Sequence, residues 1–330
     1  MNQKIRAGFL GTGSYLPERI LTNKDMEKIV DTTDEWIVTR TGIRERHVAA
    51  ENQATSDLAT EAGKKALADA GLKASDIDLI IVATITPDMP TPSTACLVQS
   101  KLGASKAAAF DVSAACSGFV YGLSISKAFV ESGMYKNILL IGAEKLTAFV
   151  DWKDRASCVI FGDGAGAAVI GPVEAGQREI LSSFMVANGN DADLLKIPGG
   201  GSRNPSSTNS LEQGMHYLKM QGKETFKVAV KVMEEATLEA LRLANLTMDQ
   251  ISLVIPHQAN LRIIQSIGER MKIPAEKMVV NLDRVGNTSA ASVIVALDEC
   301  VRTGRLKKGD AIVLVAFGAG TTLASAVVQW

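Results

Sequence analysis

Ala107-Ala108-Ala109-Phe110-Asp111-Val112-Ser113-Ala114-Ala115-Cys116-Ser117-Gly118-Phe119 is where a short apolar run stops and a long amphipathic one begins. An apolar run of this length bounded by small residues predicts a buried strand at 107–112. The run 117–131, closed by Gly133, predicts a helix. The thiol of Cys116 then sits at or just before a helix N-terminus, where free N–H groups and the dipole favour thiolate over thiol. A thiolate so placed suggests covalent catalysis. Taken alone, the pattern still favours a buried, inert cysteine.

Outward from this junction, apolar runs and helical patterns alternate throughout, which predicts an α/β architecture. Strands are expected at 5–10, 79–84, 107–112, 138–141, 159–161, 167–170, 253–256, 278–282, 312–317 and 325–328. Helices are expected at 56–70, 94–102, 117–131, 222–243, 259–271 and 289–303. The order repeats. In the first half a strand, a helix, a strand and a helix headed by Cys116 follow one another. In the second half the same order ends on a helix headed by Gly286-Asn287-Thr288-Ser289. Ile80 and Cys116 are 36 positions apart, Leu253 and Asn287 are 34 apart. Each half closes on a strand pair around a glycine-rich turn, Phe161-Gly162-Asp163-Gly164-Ala165-Gly166 and Phe317-Gly318-Ala319-Gly320. We therefore expect two related halves, 1–172 and 173–330, meeting at one central site.

The 330 residues are 46% hydrophobic and carry a formal charge of −1, enough for an extensive core and without a global basic surface for nucleic acid or an anionic membrane. Cys96, Cys116, Cys158 and Cys300 are far apart, and with three histidines a structural zinc site is not expected. Few cysteines and an N-terminus without signal-peptide character point to a cytoplasmic protein, with Met1-Asn2-Gln3-Lys4 leading into the first strand. The uncharged stretch 311–330 has the length of a membrane span, but Gly318, Gly320, Thr321 and Thr322 break it. Two buried strands and a tight turn explain it better, and no membrane association is expected. The segment 198–210 is a loop by composition, either a mobile cover or a plain surface insertion. Gly11-Thr12-Gly13-Ser14-Tyr15-Leu16 imitates a dinucleotide fingerprint, but the third glycine is absent and Pro17 follows, so it is assigned to a turn.

Two further residues carry possible chemistry. Pro256 ends a predicted strand, and His257-Gln258-Ala259-Asn260 opens a helix. A helix N-terminus disfavours imidazolium, so His257 is expected to be neutral and able to donate one hydrogen bond. By itself it reads better as a capping or core histidine. Asn287 reads either as an N-cap or as a carboxamide donor to a developing oxyanion, a role that suits a side chain which does not titrate.

Together these segments resemble the thiolase-like condensing enzymes, most closely the β-ketoacyl-ACP synthase III family, over essentially the whole chain. The resemblance is carried by Thr33-Asp34-Glu35-Trp36-Ile37, by Arg40-Thr41-Gly42-Ile43-Arg44-Glu45-Arg46, by the Cys116 segment, and by Phe161–Gly166, Pro256–Arg262 and Gly286–Ser292. It implies a thiolase-like fold of duplicated βαβαβαββ halves in a five-layered αβαβα arrangement, and a homodimer. It implies a catalytic triad of Cys116, His257 and Asn287, with the backbone N–H groups of Cys116 and Ala319 as an oxyanion hole. The implied reaction is decarboxylative Claisen condensation of an acyl-CoA primer with malonyl-ACP through an acyl-cysteine. It initiates type II fatty acid synthesis and uses no metal or cofactor, CoA thioester being a substrate.

The resemblance places CoA on Trp36, Arg40, Thr41, Arg155, Gly222 and Asn260, with Trp36 and Arg155 sandwiching the adenine. It places acyl carrier protein on Gln258, Ala259, Asn260, Leu261, Arg262 and Lys227. Thr91 falls where the family caps the acyl tunnel from across the dimer, and a threonine there leaves room for primers longer than acetyl. Lys219, Lys223, Lys227 and Lys231 recur every four residues, a stripe that is mildly self-repulsive and would suit an acidic partner or a solvated face. The rival readings are a triad-sharing ketosynthase of a polyketide- or quinolone-type pathway, a plain acyltransferase or thioester hydrolase, and a non-catalytic partner subunit.

Overall fold

In a computed structural model, residues 5–330 are described; Met1–Lys4, expected to lead into the first strand, lie outside them. Nine strands form one sheet: β1 (Ala7–Tyr15), β2 (Leu79–Ala83), β3 (Ala108–Val112), β4 (Ile138–Glu144), β5 (Gly164–Pro172), β6 (Glu179–Ala187), β7 (Leu253–Pro256), β8 (Ala311–Gly318) and β9 (Thr322–Gln329). Their spatial order is β7-β8-β9-β6-β1-β5-β4-β2-β3. One residue pair, Gly8 with Glu179, joins β1 to β6 and splits the sheet into two wings. Outward from this joint, each wing runs antiparallel, antiparallel, parallel, parallel; the last position of the second wing is only a bridge from Val254 to Met278.

Strand periodicity shows how the layers stack. In β4, Ile138 and Leu140 face one core while Leu139, Ile141 and Ala143 face another. In β8, Ile312, Leu314 and Ala316 share the first core, and Val313, Val315 and Phe317 face a third. The shared central layer holds helices α3 (Gly118–Glu131) and α6 (Ser292–Arg302) between the wings. Outside lie α1 (Thr55–Ala70) and α2 (Thr94–Leu102) on one face, α4 (Gly222–Ala244) and α5 (Leu261–Arg270) on the other. The result is five layers, αβαβα. Strands buried on both faces read as unbroken apolar runs, which is why they stood out in the sequence.

Four expectations need correction. Gly11 to Tyr15 is not a turn but the second half of β1. The glycines are there because α1 crosses close by: a Cβ on Gly11 would lie 2.4 Å from Ala70 N, and one on Gly13 2.5 Å from Ala66 N. In place of the strand expected at 159–161, the chain turns after a short helix, Arg155–Cys158, and makes one bridge from Phe161 to Asn287, so Phe161–Gly166 leads into β5 and is no hairpin turn. The strand expected at 278–282 gives way to a short helix, Leu282–Val285. Strand β6 was missed, its apolar residues being split by Ser182 and Ser183 and its outer end being exposed. The stretch 311–330 does form two strands about the Phe317–Gly320 turn. Among the described residues no helix is long and apolar enough to cross a membrane. The segment 198–210 grows from a two-stranded ribbon, Leu195–Lys196 with Lys219–Met220, and ends in the short helix Thr208–Glu212.

Candidate active site

Parallel strands β2 and β4 and parallel strands β7 and β8 end on the same side of the central layer, where ligands collect in open α/β sheets. Cys116 lies in a single 3₁₀ turn, Ala115–Ser117, before α3. Ala115 holds a left-handed φ of 47°, which aims the next side chain off the helix axis. The thiol is 6% exposed. Burial pushes it up to about 12, the Glu144 carboxylate adds to this, and the Ser289 hydroxyl and the cysteine's own N–H oppose it. The expected thiolate is therefore not the resting state. A helix dipole contributes about 0.3–1 kcal/mol, less than the loss of water around the anion.

His257 follows β7 directly. Its N–H donates to Val315 O at 2.8 Å, and the ring is almost fully buried. Burial pulls its pKa down to about 3, so it is neutral as expected, although desolvation is the cause. Nδ1 lies 2.6 Å from Ser292 Oγ, while the Gln258 N–H points to the same oxygen at 3.4 Å. The Ser292 hydroxyl accepts the Gln258 N–H on one lone pair and has its proton available for Nδ1, an arrangement that puts the ring hydrogen on Nε2, facing the cavity.

Asn287 precedes the matching turn, Ser289–Ala291, at the start of α6. Its backbone is tied to the first half by Asn287 N to Ile160 O and Gly162 N to Asn287 O, both 3.0 Å. Its Oδ1 accepts the Ser289 N–H at 2.9 Å. The oxygen thus caps the turn, which leaves the NH₂ group available as a donor. Gly286, at φ 74°, lets this loop lie on the aliphatic stem of Arg46. The Arg46 guanidinium is fully buried and, among the described residues, has no carboxylate partner, binding Leu21 O, Asn23 Oδ1 and Val159 O.

Cys116, His257 and Asn287 line one cavity of about 340 Å³, otherwise walled mainly by apolar groups including Phe161, Phe226 and Phe317. Trp36, Arg40, Thr41, Gly222 and Asn260 line its outer part. Trp36 and Arg155 do meet, with the guanidinium 4.8 Å over the indole, and Arg40 stands 5.3 Å from the same ring. A purine between two planes needs roughly 7 Å, twice a normal contact distance, so Arg155 has to swing aside to admit one. Thr41 spends its hydroxyl on Ile37 O and the Ile43 N–H, ending the helix Asp34–Thr41. Asn260 caps α5 through Oδ1 and reaches Arg40 O through Nδ2. Ala319 lines a neighbouring pocket with Ala115 rather than this cavity.

Of the residues expected to dock a carrier protein, Arg262 and Lys227 are exposed, and Arg262 stacks over Phe226 at 5.8 Å. Ala259 and Leu261 are half-buried. Gln258 is a correction: it is 1% exposed and its amide is consumed by Pro256 O, Val279 O and the Asn281 N–H. It braces the loop and is out of reach of a partner. In the lysine stripe, Lys219 faces Asp151 and Lys231 faces Glu235, while Lys223 and Lys227 have no ion-pair partner among the described residues. Thr91 is exposed and lies off the cavity of its own chain.

Sequence reasoning missed Ser292, which meets His257, and the buried carboxylate of Glu144. Glu144 was findable: an acid closing the otherwise apolar run Ile138–Ala143 is buried by construction.

Residues 110–189 match the family described as 3-oxoacyl-[acyl-carrier-protein] synthase III, and residues 241–330 match its C-terminal part. A beta-ketoacyl-[acyl-carrier-protein] synthase III of Caldanaerobacter subterraneus subsp. tengcongensis is 60% identical over 330 residues, covering 100% of this chain and 99% of the relative. The crystal structure of 3-oxoacyl-[acyl-carrier-protein] synthase III from Aquifex aeolicus VF5 superposes with a TM-score of 0.91 at 48% identity, covering 98% of this chain and 100% of that one. The priming beta-ketosynthase of the R1128 polyketide pathway gives 0.91 at 37% identity, with 99% and 97% covered.

Proposed function

This chain belongs to the 3-oxoacyl-[acyl-carrier-protein] synthase III family, and on that premise we propose how its residues perform the family's reaction. The protein is an acyltransferase that condenses an acyl-CoA primer with malonyl-ACP, giving 3-oxoacyl-ACP, carbon dioxide and CoA, the initiating step of fatty acid synthesis. Cys116 Sγ attacks the primer's thioester carbonyl; the carbonyl carbon–sulfur bond breaks and CoA leaves. Malonyl-ACP then enters, and its thioester oxygen accepts hydrogen bonds from His257 Nε2 and Asn287 Nδ2. Decarboxylation puts negative charge on that oxygen. Two neutral donors stabilise the enolate without pairing with the malonyl carboxylate, which a cation would hold back from leaving as carbon dioxide. The enolate carbon attacks the acyl-Cys116 carbonyl, whose oxyanion is assigned to the N–H groups of Cys116 and Ala319. The Cys116 thiolate departs and recovers a proton.

The observation that carries this reading is the convergence of one thiol, a buried neutral imidazole and an oriented amide on a single apolar cavity. The reaction draws its driving force from a thioester and from released carbon dioxide, so no cofactor or metal is required. Trp36, Arg40 and Arg155 form the cationic, aromatic mouth for the CoA nucleotide. Arg262 with Lys223 and Lys227 forms the basic face for the acidic carrier. Strand β3 is an unpaired sheet edge, exposed to half-buried along its length, which supports a homodimer through that edge. On this reading Thr91 borders the partner's acyl site and admits primers longer than acetyl. We assign the two wings to halves 1–172 and 173–330, supported by their matching strand directions. The substrates are cytoplasmic thioesters, which supports a cytoplasmic location.

The R1128 relative favours one alternative, priming of a polyketide-type pathway by the same triad. The higher identity lies with the fatty acid enzymes. The test is condensation of a labelled acyl-CoA series with malonyl-ACP and with malonyl-CoA. Carrier-dependent release of carbon dioxide and 3-oxoacyl-ACP is expected. Turnover independent of the carrier would refute the assignment, and a strict acetyl preference would refute the role of Thr91.

A further inference from the structure

The two N–H groups assigned to the oxyanion come from opposite halves of the chain, so the hole exists only while those halves are held in register. Cys116 belongs to the turn before α3, and Ala319 to the Phe317–Gly320 turn between β8 and β9. Among the described residues neither the Cys116 N–H nor the Ala319 N–H is bonded to a carbonyl. Main-chain donors left open in this way are uncommon, and these two stand ready for an acceptor from outside the chain. The turns approach closely because Gly318 has no side chain. A Cβ there would lie 2.7 Å from Cys116 N and 2.9 Å from Ala114 O. Ala115 and Ala319 accordingly wall one pocket.

Two hydroxyls bridge these turns. Thr322 opens β9 and pairs with Gly318 in the ladder. Its Oγ1 donates to Ala114 O at 2.8 Å, the same carbonyl that closes the Cys116 turn by accepting the Ser117 N–H at 3.2 Å. Thr322 Oγ1 also lies 3.2 Å from the carbonyl oxygen of Ala319. Ser117, next to the nucleophile and fully buried, sets its Oγ 2.7 Å from Thr322 Oγ1 and 3.0 Å from Thr322 O. Ala114 O can only accept, so the Thr322 proton satisfies it and the Ser117 proton serves Thr322. The second half thus donates to the carbonyl before Cys116, and the first half donates back from the residue after it.

We propose that Thr322 and Ser117 are positioning residues that set the spacing of the two oxyanion donors, the N–H groups of Cys116 and Ala319. The inference rests on those two groups forming the oxyanion hole. When Sγ adds to the primer carbonyl, and again when the enolate carbon adds to the acyl-cysteine, the carbonyl π electrons move onto oxygen. That charge is lost as a thiolate is expelled, CoA in the first step and Cys116 in the second. Both donors must reach the oxygen at once, and a misplacement of about 1 Å can cost ~10²-fold. Decarboxylation puts its charge on a different oxygen, the one facing His257 and Asn287. Displacement of iodide from iodoacetamide by Sγ creates no oxyanion at all. Neither process draws on the two hydroxyls.

Three rates measured on one set of variants decide it: acyl transfer from labelled acetyl-CoA, alkylation of Cys116 by iodoacetamide, and carbon dioxide release from malonyl-ACP. Thr322→Val keeps the shape of the side chain and removes the hydroxyl. Its acyl transfer should fall about 10- to 100-fold in kcat with little change in KM, while the other two rates stay within about threefold of wild type. Thr322→Ser should restore most of the loss, and Ser117→Ala should show the same selectivity at about tenfold. Wild-type acyl transfer in Thr322→Val overturns the proposal. An equal fall in all three rates overturns it too, since the hydroxyls would then only brace the fold. Should that variant fail to fold, the same two outcomes in Ser117→Ala decide. The premise is tested separately by replacing the Ala319 peptide N–H with an ester oxygen, which should slow acyl transfer about 10²- to 10³-fold. An unchanged rate there would remove the oxyanion assignment itself.

Discussion

The turn Ala115–Ser117 before α3 and the turn Ser289–Ala291 before α6 share a backbone but not a task. Each opens on a left-handed residue, at φ 47° and 46°, each precedes a central-layer helix, and they pack against one another. The first presents a thiol and bare backbone N–H groups. The second presents an amide at Asn287, a hydroxyl at Ser289 and, one turn on, the Ser292 hydroxyl that orients His257. One copy of the turn supplies electrons and the other receives charge. A repeated scaffold becomes a condensing site by differing in a few side chains around an unchanged turn.

If the second turn is the receiving side, Asn287→Ala should slow decarboxylation about 10²–10³-fold, the cost of one preorganised donor, while leaving Cys116 acylation within a few fold. A loss below tenfold, read as carbon dioxide release from malonyl-ACP, breaks the comparison. Ser292→Ala leaves Nδ1 and the Gln258 N–H without their shared partner. About 1–3 kcal/mol, or roughly 5- to 150-fold in kcat for decarboxylation, should be lost, and Ser292→Thr should restore most of it. A wild-type rate in the alanine variant would show that the tautomer is held by something else.

Titration sharpens the contrast further. The folded-state pKa of Glu144 is raised from 4.5 to about 7, so its contribution to stability is full below 4.5 and is lost as pH rises through 7. Glu144→Gln should therefore gain stability over the wild type by ~1–3 kcal/mol between pH 5 and pH 8, read from paired denaturant melts. For His257 the sign is reversed. Its pKa is lowered from 6.5 to about 3, so the stability it contributes is present above 6.5 and lost as pH falls toward 3. The smallest effect belongs to the outer face. Raising ionic strength should increase KM for malonyl-ACP a few fold, less so in Arg262→Ala, and a flat profile would detach the basic surface from carrier binding.

The layers were legible because strands buried on two faces are apolar without interruption, as in β2, β4 and β8. What hid was whatever depends on another segment. Phe161 looked like strand because its one ladder partner, Asn287, comes from the far half. Gly11 and Gly13 looked like a turn because the helix that excludes their side chains is more than fifty residues away. Cys116 was placed correctly and its ionisation was not: the helix end is visible in sequence, the loss of water around the thiol is not. Gln258 sits in the loop that carries His257 and was taken for surface, yet its amide faces inward. Ser292 escaped notice because a buried serine has no pattern until its neighbours are known.

Division of labour between the two turns is tested most directly by separating the half-reactions. Cys116→Ala and the double variant His257→Ala, Asn287→Ala are each given labelled acetyl-CoA alone and malonyl-ACP alone. The account predicts that the first takes up no label yet still releases carbon dioxide, and that the second takes up label yet releases none above background. Carbon dioxide release by the double variant at the wild-type rate, or acyl transfer without the thiol, would contradict it.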